Sequence, residues 1–148
     1  MNKRGFTMVE ALITVVVAGL LGLLSFPTLA SSMGRHSAWN ARAVAISMYS
    51  RARASAVESG RATMLSWTGD VAVITASPRI AGGAGSFDTI GQPANFRTLY
   101  GVRVTGSSGT VLTIDPRGLG TSASNTIFFT RDGSRDSVMV TGYGRVVK

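Results

Sequence analysis

Between Glu10 and Arg35 the chain carries no charged side chain, and most of that interval is aliphatic. From Ala11 to Ala30 only Thr14, Ser25, Thr28 and small residues interrupt the apolar run. As a helix, such a run is long enough to cross a hydrocarbon core about 30 Å thick. Its head is a carboxylate, Glu10. By insertion scales an acidic side chain in a spanning helix costs a few kcal/mol, so one retained there marks function. Lys3 and Arg4 precede the run. The positive-inside rule then places the N-terminus in the cytoplasm and everything after the run on the other side.

Gly5-Phe6-Thr7-Met8-Val9-Glu10 followed at once by this run resembles the class III signal of type IV pilins and pseudopilins. The resemblance implies a prepilin peptidase that cuts between Gly5 and Phe6 and N-methylates Phe6. It further implies that Glu10 neutralises the N-terminal amine of a neighbouring subunit during assembly, and that the chain starts in a bacterial inner membrane with its C-terminal domain periplasmic. A conventional signal peptide cleaved after Thr28-Leu29-Ala30, releasing a soluble β protein, is the competing reading. Against it stand Glu10 and a run longer than the usual apolar signal core of ~7–15 residues.

Helical character is expected to continue beyond the run. No proline occurs from Ser31 to Ser59, alanine is frequent, and Gly60 fits a helix stop. Pro27 falls inside the helix and is expected to kink or locally loosen it, and its distance from Phe6 resembles that of the proline type IV pilins commonly carry. Ala38, Ala41, Ala45, Met48, Ala52 and Ala56 share one face, suited to close packing on a sheet. Arg35, Arg42 and Arg53 form a neighbouring stripe, expected to be a solvated basic edge.

After Gly60 the period changes. Arg61–Trp67 and Val71–Ala76 read as a hairpin around Thr68-Gly69-Asp70. Residues 77–97 read as loop, with Gly82-Gly83-Ala84-Gly85 a flexible segment lacking the lysine of a phosphate loop. Leu99–Thr105 and Thr110–Ile114 are expected to pair as a second hairpin. Asp115-Pro116-Arg117-Gly118 is a turn signal. Thr126–Arg131 and Ser137–Thr141 should pair across Asp132-Gly133-Ser134, and Arg145–Val147 offers a last short strand. The expected fold is α+β, a long N-terminal helix on an antiparallel β domain. Its parts are a leader, 1–5; a transmembrane and assembly helix, 6–30; its amphipathic continuation, 31–60; and a β-rich domain, 61–148.

Asp115-Pro116-Arg117-Gly118, Ile127-Phe128-Phe129 and Val138-Met139-Val140 leading to Gly142-Tyr143-Gly144-Arg145-Val146 resemble the GspH/FimT family. That family comprises minor pseudopilins of type II secretion and minor pilins of type IV pili. The resemblance implies a structural subunit in a pseudopilus or a pilus tip or initiation complex, with other pilins as partners. Some members bind DNA through a Gly-Arg-x-Arg pattern near the C-terminus. Here Arg145 matches, Val147 holds the second basic position, and Lys148 follows it. A DNA-capturing pilin is therefore the alternative function, with Arg145 and Lys148 as its contacts.

The remaining chemistry points away from catalysis. One histidine, His36, and no cysteine give no metal-ligand pattern, and the seven acidic residues are scattered. No nucleophile motif accompanies His36. No cofactor is expected. The formal charge of +8, almost all from arginine, favours anionic partners without choosing among them.

Overall fold

The computed structural model describes residues 7–78, 86–106 and 111–147, except for the side chains of residues 23–31. A single helix, α1 (Met8–Ser59), leads the chain and measures about 78 Å at 1.5 Å per residue. Thr7 caps it, its hydroxyl accepting from the Glu10 N–H at 3.3 Å, and Gly60 ends it in the left-handed conformation (φ 63°). Gly5 and Phe6 lie outside the described residues. The helix runs without a break through residue 27, but the Pro27 side chain lies outside the described ones, and so does the kink assigned to it.

Behind α1 come two antiparallel sheets. The first holds β1 (Thr63–Thr68), β2 (Val71–Ala76), β3 (Asp88–Thr89), β4 (Ala94–Asn95) and β6 (Val111–Ile114). Its order is β3-β2-β1-β6, with β4 also paired to β2. The second runs β5 (Arg103–Gly106), β7 (Asn125–Arg131), β8 (Ser134–Val140), β9 (Val146–Val147). A five-residue helix, α2 (Phe96–Tyr100), precedes β5 and is capped by the Asn95 side chain, which accepts from the Arg97 and Thr98 N–H groups.

The alanine face does what its spacing implies. Ala38, Ala41, Ala45, Ala52 and Ala56 are all buried, and their small side chains let both sheets approach the helix backbone. Tyr49, unforeseen, occupies the middle of that face, while Met48 beside it is only half-buried. Facing it are Leu65, Trp67, Leu112 and Ile114 from the first sheet and Ile127, Phe129, Val138 and Val140 from the second.

Two expectations fail. Leu99–Thr105 and Thr110–Ile114 do not form a hairpin. Leu99 and Tyr100 belong to α2, β5 pairs with β7, and β6 pairs with β1 in the other sheet. Each strand gains more by extending a longer neighbour. Val104 lies opposite Phe129 and Leu112 opposite Leu65, so each adds a buried pair to an existing core face. Asp70 stabilises the split, because its carboxylate in the β1–β2 turn accepts from the Val104 N–H at 2.8 Å. The second failure concerns Arg42. It is not a solvated edge residue but a half-buried partner of Asp136 on β8, at 2.8 Å. Arg35 and Arg53 are exposed as expected.

Within 77–97, the described residues 77–78 and 86–97 hold the two-residue strands β3 and β4, the start of α2 and otherwise irregular backbone; Gly82-Gly83-Ala84-Gly85 lies outside the described residues. The hairpins β1–β2 and β7–β8 form as expected, the second turning on Asp132 and Gly133, both at positive φ.

Candidate functional site

Glu10 sits in the first turn of α1, three residues after the capping Thr7. The spacing Thr7-x-x-Glu10 is that of a capping box, and a carboxylate there also complements the positive end of the helix dipole. So Glu10 has a local helical role beside any intermolecular one. It is exposed, and among the described residues only the Thr7 half of the box is made, the Glu10 carboxylate having no hydrogen bond or ion pair, so that its local role is through the dipole.

Around it the helix presents Val9, Leu12, Ile13, Val16, Val17, Leu20 and Leu21 to the outside, all about half exposed or more. Among the described residues Val9 to Leu20 stay exposed, and a contiguous apolar surface of this kind marks an interaction face. Among the described residues no helix is long and apolar enough to cross a membrane. The apolar run of the sequence continues into residues 23–31, whose side chains lie outside the described ones.

Farther along, the β domain is clamped onto α1 at fixed points. Gly34 faces the β7–β8 turn so closely that a Cβ there would lie 3.2 Å from the Arg131 carbonyl oxygen and the Ser134 hydroxyl. Arg131 donates to the Ser37 hydroxyl at 2.8 Å and to the Tyr100 carbonyl at 2.7 Å, tying α1, α2 and β7 together. Arg42–Asp136 adds a third tie. None of these long-range ties had a sequence signal, since the hydrogen-bonded partners lie 31 to 94 residues apart and Gly34 is farther still from the turn it meets.

The C-terminal motifs prove architectural. In Asp115-Pro116-Arg117-Gly118 the carboxylate accepts from the Arg117 and Leu119 N–H groups. The Leu119 N–H, followed by the Arg117 contacts, holds the Asp115 carboxyl below its ordinary value despite an opposing desolvation effect. Gly118 (φ 80°) packs on α1, where a Cβ would meet Val57 Cγ2 at 3.0 Å. Gly144 (φ 83°) lies against both Gly120 and the hydroxyl of Tyr49. The Gly-rich signature at 142–144 thus marks a backbone approach to the core.

Arg145 is exposed and has no ion pair among the described residues; Lys148 lies outside them. His36 is exposed, and no group of His, Cys, Asp and Glu suited to a metal occurs among the described residues.

Comparison with known proteins agrees at both ends of this arrangement. Residues 1–26 match the model of the prokaryotic N-terminal methylation motif. No curated protein matches the sequence. Among solved structures, the type IV minor pilin FimU of Pseudomonas aeruginosa superposes with a TM-score of 0.58 at 15% identity, covering 76% of this chain and 88% of that one. The chain therefore joins a prokaryotic N-terminal methylation motif to a pilin-like α+β fold.

Proposed function

We propose that the chain is a minor pilin-type structural subunit. It is inserted in the inner membrane through residues 6–30, cut by a prepilin peptidase between Gly5 and Phe6, and methylated at Phe6. It then enters a pilus or pseudopilus through α1. The observation that carries this reading is the methylation motif heading a helix that continues unbroken into the core of the pilin-like domain. The exposed aliphatic side chains of the first half of α1 support it, since they need a membrane before assembly and a helix bundle after it.

Glu10 acts at the transfer between those two settings. Cleavage frees an amine at Phe6, and the carboxylate of an incoming subunit meets the amine of its neighbour. A buried, unpaired charge on either side is strongly unfavourable, so the pair selects one axial register. Mass analysis of the N-terminal peptide tests the processing. A chain starting at methylated Phe6 is expected, and one starting after Ala30 refutes the reading. Glu10→Ala should still be cleaved but should enter filaments poorly; normal incorporation would remove the role given to Glu10.

A further inference from the structure

The outer face of the second sheet carries an arrangement that the assembly reading leaves unused. Arg103, Thr130 and Arg135 lie side by side in register across β5, β7 and β8, all exposed. The two arginine Cα atoms are two strand spacings apart, roughly 10 Å. Arg135 sits over the Phe128 ring, its guanidinium carbon 3.8 Å from the centroid, a cation–π contact. Neither arginine has a carboxylate partner among the described residues. The carboxylates near this end are already engaged, Asp132 with Arg131, Asp136 with Arg42, and Asp70 with the Val104 N–H and Arg97.

The position of this row along α1 identifies its partner. The row is the second pair beyond the β7–β8 turn, one residue or about 3 Å past Arg131 and Ser134, and that turn rests on Gly34. Gly34 stands four residues past Ala30, where the apolar run ends, which is about 6 Å along the helix. The polar zone on each side of a bilayer is itself only about 5–8 Å deep. Exposed Arg35 on α1 directly follows Gly34, at the level of the turn. We propose that Arg35, Arg103 and Arg135 form a basic collar that docks the β domain on the phosphate headgroups of anionic lipid before assembly. The collar rests on the reading of the apolar half of α1 as a membrane segment. It favours lipid over nucleic acid because these arginines lie at the membrane end of the domain, where their long side chains extend the few ångströms to the headgroups.

The test uses the full chain in nanodiscs of phosphatidylcholine, alone or mixed with phosphatidylglycerol. The chain contains no cysteine, so single substitutions carry a fluorophore unambiguously. Thr130→Cys reports docking, through quenching by headgroup-labelled nitroxide lipid. Leu20→Cys reports insertion, through quenching by acyl-chain nitroxides. Insertion is expected in both lipids, and Thr130 quenching only in the anionic discs, fading with salt. Each arginine near an anionic surface contributes roughly a fivefold effect, so the Arg103→Gln/Arg135→Gln pair should lower the docked-to-undocked ratio on the order of 25-fold. An unquenched Leu20 label overturns the membrane reading and the collar with it. A quenched Leu20 label with Thr130 quenching that ignores lipid charge, or survives the double variant, overturns the collar alone. If the double variant instead loses affinity for a duplex DNA probe while Thr130 quenching is unmoved, the face serves nucleic acid and the collar is refuted.

Discussion

Gly144→Ala is expected to be among the most damaging single-methyl additions to the domain, and the structure separates the reasons. The residue sits at φ 83°, where an L side chain costs about 1–2 kcal/mol. The new Cβ would also stand 2.5 Å from the Tyr49 hydroxyl oxygen and 2.9 Å from the Gly120 nitrogen. Tyr49 is a buried member of the core that also holds Trp67, Ile127, Val138 and Val140, so displacing its ring disturbs that packing. Overpacking of this kind adds about 1–3 kcal/mol, for a total of roughly 2–5 kcal/mol. Tyr49→Phe removes the nearest clashing atom. That hydroxyl is buried with no hydrogen-bond partner among the described residues, so losing it should leave stability within about 1 kcal/mol or improve it. The two changes must therefore couple. Gly144→Ala should cost at least about 1 kcal/mol less in the Tyr49→Phe background, with the φ and Gly120 terms remaining. Urea denaturation of the detergent-solubilised chain, followed by fluorescence of buried Trp67 in a Trp39→Phe background, reads all four states. A loss below 1 kcal/mol for Gly144→Ala, or strict additivity of the pair, would refute the packing argument.

Three further outcomes follow from the ties between elements. Asp70→Ala removes the acceptor for the Val104 N–H and should cost about 1.5–3 kcal/mol by the same assay, whereas Asp70→Asn keeps an amide oxygen there and should cost less. Breaking Arg42–Asp136 by Asp136→Ala strands a guanidinium that is 16% exposed, and the cost should be about 1–3 kcal/mol, below the value for a fully buried pair. Asp115 has a lowered carboxyl pKa in the folded chain, so its contribution is present above its ordinary value of 3.8 and disappears as pH falls through the folded value. Asp115→Asn should flatten the acid limb of the stability profile in that window and leave its alkaline limb unchanged.

The sequence displayed the local and periodic features. The α1 face from Ala38 to Ala56, the β1–β2 and β7–β8 turns and the Asp115–Gly118 turn all rest on spacing within a few residues, and each appears in the structure. The two-sheet division did not show, because β5 and β6 carry the alternation of a hairpin and only the competition for β1 and β7 separates them. The methylation motif was legible as a whole. Arg42 was not, since its 3.6-residue phase placed it on the stripe edge while its partner Asp136 lies 94 residues away. Tyr49 was hidden for a related reason. A lone large residue on a small-residue face has meaning only with the Gly120–Gly144 approach that leaves room for it.

The clamps have a consequence for assembly, because they fix the height of the domain along α1. Gly34, Ser37 and Arg42 each meet a partner near the β7–β8 turn, so the domain cannot slide on the helix without breaking several contacts at once. Glu10 and Arg42 are then held about 48 Å apart by a continuous helix. On the role proposed for Glu10, a register chosen there is carried along the helix to the domain. Inserting four alanines after Ala30 separates the two functions. The insertion lies before the first clamp, so the urea midpoint of the domain should be unchanged. It should nevertheless lift the domain about 6 Å and turn it by roughly 40° relative to Glu10. Filament incorporation should fall sharply while processing at Gly5 and Phe6 continues. Normal incorporation of that variant would mean that the helix does not transmit register, and that the domain finds its neighbours independently of Glu10.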